Sequence, residues 1–161
     1  MPVDEGTFKV GMSHFASGVT VVTTEHEGEP YGLTVASFAS LSLHPPLVLV
    51  CVEKSVRSHE AIAAAGRFGV SILEESQADI SGRFASKGED KFSGLPVRRG
   101  SLGVPLIEGA VCTIECRLTA QLPGGDHSIF VGEVVDVKAG EGKPLVYYRS
   151  SYRQIAGPVS S

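Results

Sequence analysis

Between Tyr31 and Cys51 a strand-like pattern is broken by short hydroxyl residues, Thr34, Ser37, Ser40 and Ser42, and resumes only after the double proline Pro45-Pro46. The prolines forbid helix and hold a turn, so the apolar run Leu47 to Val52 behind them is predicted to be a buried strand. Hydroxyls beside exposed backbone suit a surface on which a flat, polar ligand could lie. The other strand signals arrive in the same rhythm. Val19–Thr24 is rich in β-branched residues, His26–Pro30 reads as a turn, and Tyr31–Phe38 returns as the second arm of a hairpin. Phe68–Leu73 is a further buried strand. Val111–Gln121 alternates, with Cys112, Ile114, Cys116 and Leu118 set toward the core and Val111, Thr113, Glu115, Arg117 and Thr119 away from it. In Ser128–Lys138 the apolar phase changes around Gly132-Glu133, which predicts a bulge or bend of the kind that closes barrels.

Helical signals are fewer. Ser58–Gly66 has a serine at its start, strong helix formers within and a glycine at its end; a second helix is expected from about Glu75 through Ile80 and Phe84 with Ser76 as its cap, and a third, weaker one over Phe8–Ser17. Residues 93–109 hold two prolines and four glycines, so they read mainly as loop with a short strand near Val97. The chain of 161 residues is expected to form one mainly β domain, residues 1–161, with its core over about residues 8–155 and a frayed tail at 156–161.

Composition closes off several classes. A formal net charge of −4 with dispersed lysines and arginines leaves no footprint for nucleic acid. The N-terminus lacks the basic and apolar regions of a signal peptide and no apolar run reaches membrane-spanning length, so a cytoplasmic address is expected. Cys51, Cys112 and Cys116 are odd in number and sit in apolar or alternating segments; they read as buried thiols without a disulfide, and no neighbouring Cys or His completes a metal set around Cys112 and Cys116. There is no glycine-rich dinucleotide fingerprint, P-loop, zinc-protease helix or nucleophile elbow. What remains is Gly124-Gly-Asp-His127, in which a mobile glycine pair sets Asp126 and His127 at the start of a strand, where the carboxylate can orient or charge an accessible imidazole.

The segments Phe15–Thr24, Gly32–Val48, Lys54–Ser58 and Gly125–Val134, in this order, resemble the short-chain flavin reductases, the reductase components of two-component flavin-dependent monooxygenases. The resemblance runs from about Phe8 to Tyr152. It implies a split β-barrel of the FMN-binding, Greek-key kind with a few short helices, usually a homodimer, that reduces FMN or FAD with NADH, or alternatively NADPH, by direct hydride transfer to flavin N5. Reduced flavin then passes to a partner oxygenase. Carried over by position, it assigns Thr34, Ala36 and Ser37 to the edge of the isoalloxazine ring with Ser40 and Leu41 close by, and Cys51 and Val52 to the ribityl chain. Ser55, Arg57 and Ser58 fall to the phosphate, Phe84 and Lys91 to a segment crossing the flavin, His127 to the nicotinamide, and Tyr152 to an aromatic that closes the pocket. Arg149-Ser150-Ser151 stands where many relatives have glycines before the tyrosine. Two alternatives stay open: a flavoprotein that holds its flavin tightly as an oxidase or electron carrier, and a non-catalytic dimeric split barrel serving interaction alone.

Overall fold

In a computed structural model, which describes residues 1–88 and 90–160, twelve strands and three short helices follow one another along the chain. Glu89, in the glycine-rich Lys87–Asp90 stretch beyond the second expected helix, and Ser161, the end of the expected tail, lie outside the described residues. The order is α1 Glu5–Met12, β1 Ser17–Gly18, β2 Thr20–His26, β3 Glu29–Val35, β4 Phe38–Ser42, β5 Leu47–Glu53, α2 Arg57–Ala65, β6 Arg67–Ile72, α3 Ala78–Ala85, β7 Val97–Arg99, β8 Pro105–Ile107, β9 Cys112–Gly124, β10 His127–Ala139, β11 Val146–Tyr148 and β12 Ser151–Arg153.

Seven strands make one antiparallel sheet in the order β3-β2-β6-β9-β10-β5-β4. Its outermost strands, β3 and β4, are consecutive in the chain and separated only by Ala36 and Ser37. A flat sheet would hold them five strands apart, farther than two residues can reach, so the sheet has to curl until its edges meet. Across the seam the Cys51 N–H donates to the Ser37 carbonyl at 3.1 Å, and the Ser37 hydroxyl donates to the Cys51 carbonyl at 3.1 Å. This is the split barrel expected from the sequence. The curl is helped where expected: pairing of β10 with β9 shifts register between Val131 and Gly132 and again between Val134 and Asp136. Gly132 is needed there because a Cβ would lie 2.6 Å from both Cys116 Cβ and Phe68 Cζ. The barrel core is Val22, Val50, Val52, Ile62, Phe68, Val70, Cys116 and Phe130, all fully buried.

Several local expectations are corrected. The β2–β3 turn is the pair Glu27-Gly28, with φ of 52° and 79°, the two-residue left-handed turn that matches strand twist. Leu47–Val52 is a strand, but its burial alternates, leaving Leu47, Leu49 and Cys51 half-buried. In the first part of β9, Thr113 to Cys116, both faces are covered, whereas Arg117 and Thr119 are exposed as expected. Glu115 is fully buried and accepts from the backbone N–H groups of Ser101 and Leu102, each at 2.9 Å, because the residue 93–109 segment, which carries the hairpin β7–β8, folds over that face. α1 begins at Glu5 instead of Phe8, since the Asp4 carboxylate accepts from the Thr7 N–H at 2.9 Å and starts the helix earlier. α2 starts at Arg57 with Ser58 inside its first turn; its N-cap residue is Val56. Gly66 ends it in the left-handed region, as expected. Ser76 does not cap α3, because its hydroxyl is held by Glu74 and the N-cap is Gln77. The β1-β11-β12 sheet carried no sequence expectation.

Candidate functional site

A groove of about 920 Å³ runs along the seam. One wall is the exposed edge of β3 and the Ala36-Ser37 link, the floor includes Cys51 and Glu53 of β5, and α2, α3 and the residues after α3 close the ends. The groove takes its shape from a close approach: a Cβ on Gly32 would lie 2.6 Å from the Phe84 ring, so only glycine lets α3 lie flat on β3. Phe84 is 1% exposed and packs edge-on to Phe92 at 5.0 Å. Lys91 straps the junction, its ammonium donating to the Gly32 carbonyl at 3.3 Å and to the Phe84 carbonyl at 3.1 Å. Partial burial holds the Lys91 pKa below the usual lysine value.

Of the residues singled out from sequence, Thr34, Ala36, Ser37, Cys51, Ser55, Arg57, Ser58, Phe84, Lys91 and His127 line this one groove, although they span 94 positions from first to last by number (127 − 34 + 1). Thr34 is partly committed, since its hydroxyl donates to the Ser81 carbonyl of α3 at 2.6 Å. Ser55 donates to the Glu53 carboxylate at 2.5 Å. The Arg57 guanidinium lies 5.6 Å over the Tyr31 ring. No side chain caps α2, and Ser55 to Ser58 border the groove at its first turn, the arrangement in which a helix end receives an anion. His127 lies opposite Glu53 in the β10–β5 pairing; its Nδ1 is 2.7 Å from the Asp126 carboxylate, which holds the Asp126 pKa below the usual range. Lys54 pins that loop: its N–H donates to the Asp126 carbonyl at 2.9 Å and its ammonium to the Gly125 carbonyl at 2.7 Å.

Four of the residues singled out are not brought to the groove. Ser40 and Leu41 lie exposed on edge strand β4, Val52 points into the core, and Tyr152 stands on β12, where its hydroxyl is 2.7 Å from Ser81 Oγ and its ring 5.6 Å from that of Tyr147. Tyr152 thus meets α3 at Ser81, one turn before Phe84. Tyr31, Gly32, Leu33, Glu53 and Phe92 line the groove without having been singled out. A glycine inside a strand pattern is a signal for close approach and marks Gly32; nothing local marks Phe92.

A groove with edge-strand backbone, small side chains along one wall, the cations Arg57 and Lys91 and an uncapped helix start fits a flavin mononucleotide unit, with room for the ring along β3 and for the phosphate at α2. The fold and groove therefore define a split barrel built to hold a planar, anionic ligand at its seam. Comparison with known proteins makes this specific. The model of the flavin reductase like domain matches residues 12–156, and the chain belongs to that family. It is 45% identical over 156 residues to the reductase subunit HsaB of a flavin-dependent monooxygenase from Mycobacterium tuberculosis, covering 95% of this chain and 83% of that protein. It is 44% identical over 151 residues to the reductase component of a 4-nitrophenol 4-monooxygenase/4-nitrocatechol 2-monooxygenase from Rhodococcus opacus, covering 94% and 81%. Among solved structures, the NADH:FAD oxidoreductase SgcE6 of Streptomyces globisporus, in complex with NAD and FAD fragments, superimposes with a TM-score of 0.93 at 36% identity over 98% of this chain and 96% of that one. The chain is thus an oxidoreductase of the flavin reductase class.

Proposed function

We propose that the chain uses NADH or NADPH to reduce free FMN or FAD and releases the product to a separate flavin-dependent monooxygenase. The observation that carries this reading is the convergence of the Thr34–Ser37 wall, the uncapped start of α2, Lys91 and His127 on one groove. Bound flavin supplies the acceptor, taking a hydride from the nicotinamide without a protein acid or base. The protein's share is placement. Ala36 and Ser37 leave one ring face open, the free edge of β3 offers backbone groups to the pyrimidine side, Ser55, Arg57 and Ser58 hold the phosphate, and His127, oriented by Asp126, presents the nicotinamide. Lys91 and Phe84 keep α3 over the ring; Tyr152 acts behind them, through Ser81.

The working unit is a homodimer. α1 has no buried residue, and Phe8, Val10, Met12, Phe15, Leu41 and Leu43 are all exposed. An eight-residue helix does not persist in water on propensity alone, and an apolar surface of this kind marks an interface. A cytoplasmic site accords with the nucleotide substrates, and among the described residues no helix is long and apolar enough to cross a membrane.

Steady-state oxidation of NADH and NADPH with FMN, FAD and riboflavin as acceptors tests the reading. Turnover is expected only with flavin present, from protein that loses its colour on dialysis; nicotinamide oxidation at background with every acceptor would refute it. His127→Ala is expected to raise the KM for NADH about tenfold with the flavin Kd unchanged, and an unaltered KM and turnover would remove His127 from the nicotinamide site.

A further inference from the structure

The groove does not end at the start of α2. Beyond Tyr31, Ser55, Val56 and Arg57 a second recess of about 480 Å³ opens on the outer side of the helix, and these four residues border both cavities. A ligand chain that leaves the phosphate position therefore reaches the rim of the recess. FMN stops at that phosphate. FAD continues with a second phosphate, a ribose and an adenine, and each finds a matching group beyond the shared rim.

Arg57 and Lys54 set two cations at the entrance, matching the two negative charges of a pyrophosphate. Lys54 donates one N–H to the Gly125 carbonyl, and its ammonium has two more. Deeper in, the His26 ring at the end of β2 and the Tyr31 ring beneath the Arg57 guanidinium offer stacking surfaces for a purine. The Glu60 carboxylate, on the same helix as the phosphate contacts, can accept from ribose hydroxyls. The exposed methyl of Ala64 borders the recess and leaves room for the base.

We propose that this recess binds the ADP half of FAD, so that FAD is preferred over FMN as acceptor; the inference rests on the flavin reading of the groove. NADH carries the same ADP chemistry, and because Lys54 also pins the Asp126-His127 loop, the two sources have to be separated by experiment.

The test is titration of the whole protein with FMN and with FAD, together with the KM for NADH at saturating FMN, for the native chain, Ala64→Trp and His26→Ala. Neither Ala64 nor His26 borders the main groove. The native protein is expected to bind FAD about tenfold more tightly than FMN. Ala64→Trp fills the recess and brings FAD affinity down to that of FMN, and His26→Ala weakens FAD about threefold; both leave FMN affinity and the KM for NADH unaltered, which also shows that they fold. Equal native affinities for FMN and FAD overturn the proposal, as does FAD affinity unchanged in both variants. A raised KM for NADH with FAD affinity unchanged assigns the recess to the nicotinamide nucleotide and overturns the FAD assignment. Failure to bind or reduce either flavin instead refutes the reading of the groove itself.

Discussion

The seam and the outer edge of this molecule are built on opposite terms. At the seam, β3, β5, α2 and α3 meet around Gly32, Phe84 and Lys91, with each polar group of the junction bonded within the same chain. At the edge, α1, β4 and the residues just after them carry Phe8, Met12, Phe15, Leu41 and Leu43 into solvent, uncovered by the described residues. One region is held together by bonds within a single copy. The other leaves an apolar surface that the proposed dimer would cover.

The sharpest way to break the comparison is to remove the barrel beneath the seam. Phe130 is fully buried against the sheet and the His59 ring, so Phe130→Ala is expected to cost about 3–5 kcal/mol in denaturant unfolding. A loss under about 1 kcal/mol would mean that the core does not support the site as described. Gly32→Ala tests the seam itself. Its new Cβ would press on Phe84, which has no room to withdraw, so about 1–3 kcal/mol of stability and most flavin affinity should go together. Retained flavin binding would show that α3 can lift without harm.

The edge should answer differently. Phe8→Ser with Met12→Ser is expected to leave the unfolding free energy of an isolated copy within about 0.5 kcal/mol, because both side chains are exposed, while sedimentation shifts from dimer to monomer. A dimer that persists would place the interface elsewhere. Ser150→Gly is a gentler probe. Arg149 and Ser150 form the β11–β12 turn at φ of 48° and 61°, a conformation that costs a residue with a Cβ roughly 1 kcal/mol, so the glycine variant should gain up to about that much. The glycines expected at these positions from related sequences thus have a backbone reason.

The smallest expected effect concerns Cys116. Burial, helped by the neighbouring Glu115 carboxylate, pushes its thiol up to about 12. The native protein should therefore resist alkylation at this position at pH 8. Because the unfolded thiol loses its proton first, this contribution to stability is complete below the free thiol's 9.0 and is lost as pH rises toward about 12. Rapid labelling of Cys116 in folded protein would show the core to be open.

Much of this was legible along the chain because it depends on neighbours a few residues apart. A β-branched run marked β2, apolar runs marked β5 and β6, the change of phase at Gly132 marked a bulge, and Gly66 marked the end of α2. Motifs in the right order marked most of the groove. Less was legible where a residue's environment comes from a distant segment. Glu115 has the alternation of a solvent-facing position, and only the residue 93–109 segment crossing it supplies the two N–H groups that make burial tolerable. Tyr152 sits where a pocket-closing aromatic was expected, yet its hydroxyl reaches Ser81 on the flank of α3.

By itself, then, the sequence determined the strands, the principal turns and the kind of ligand the seam suits, since these follow from periodicity, glycine and proline placement and ordered motifs. Only the tertiary structure decided which side chains share the groove, that Gly32 sets its width, and that a second recess continues from it. The physical reason is curvature: β3 and β4 are opposite edges joined by two residues, and no local pattern states where a sheet that must curl will bring its edges together.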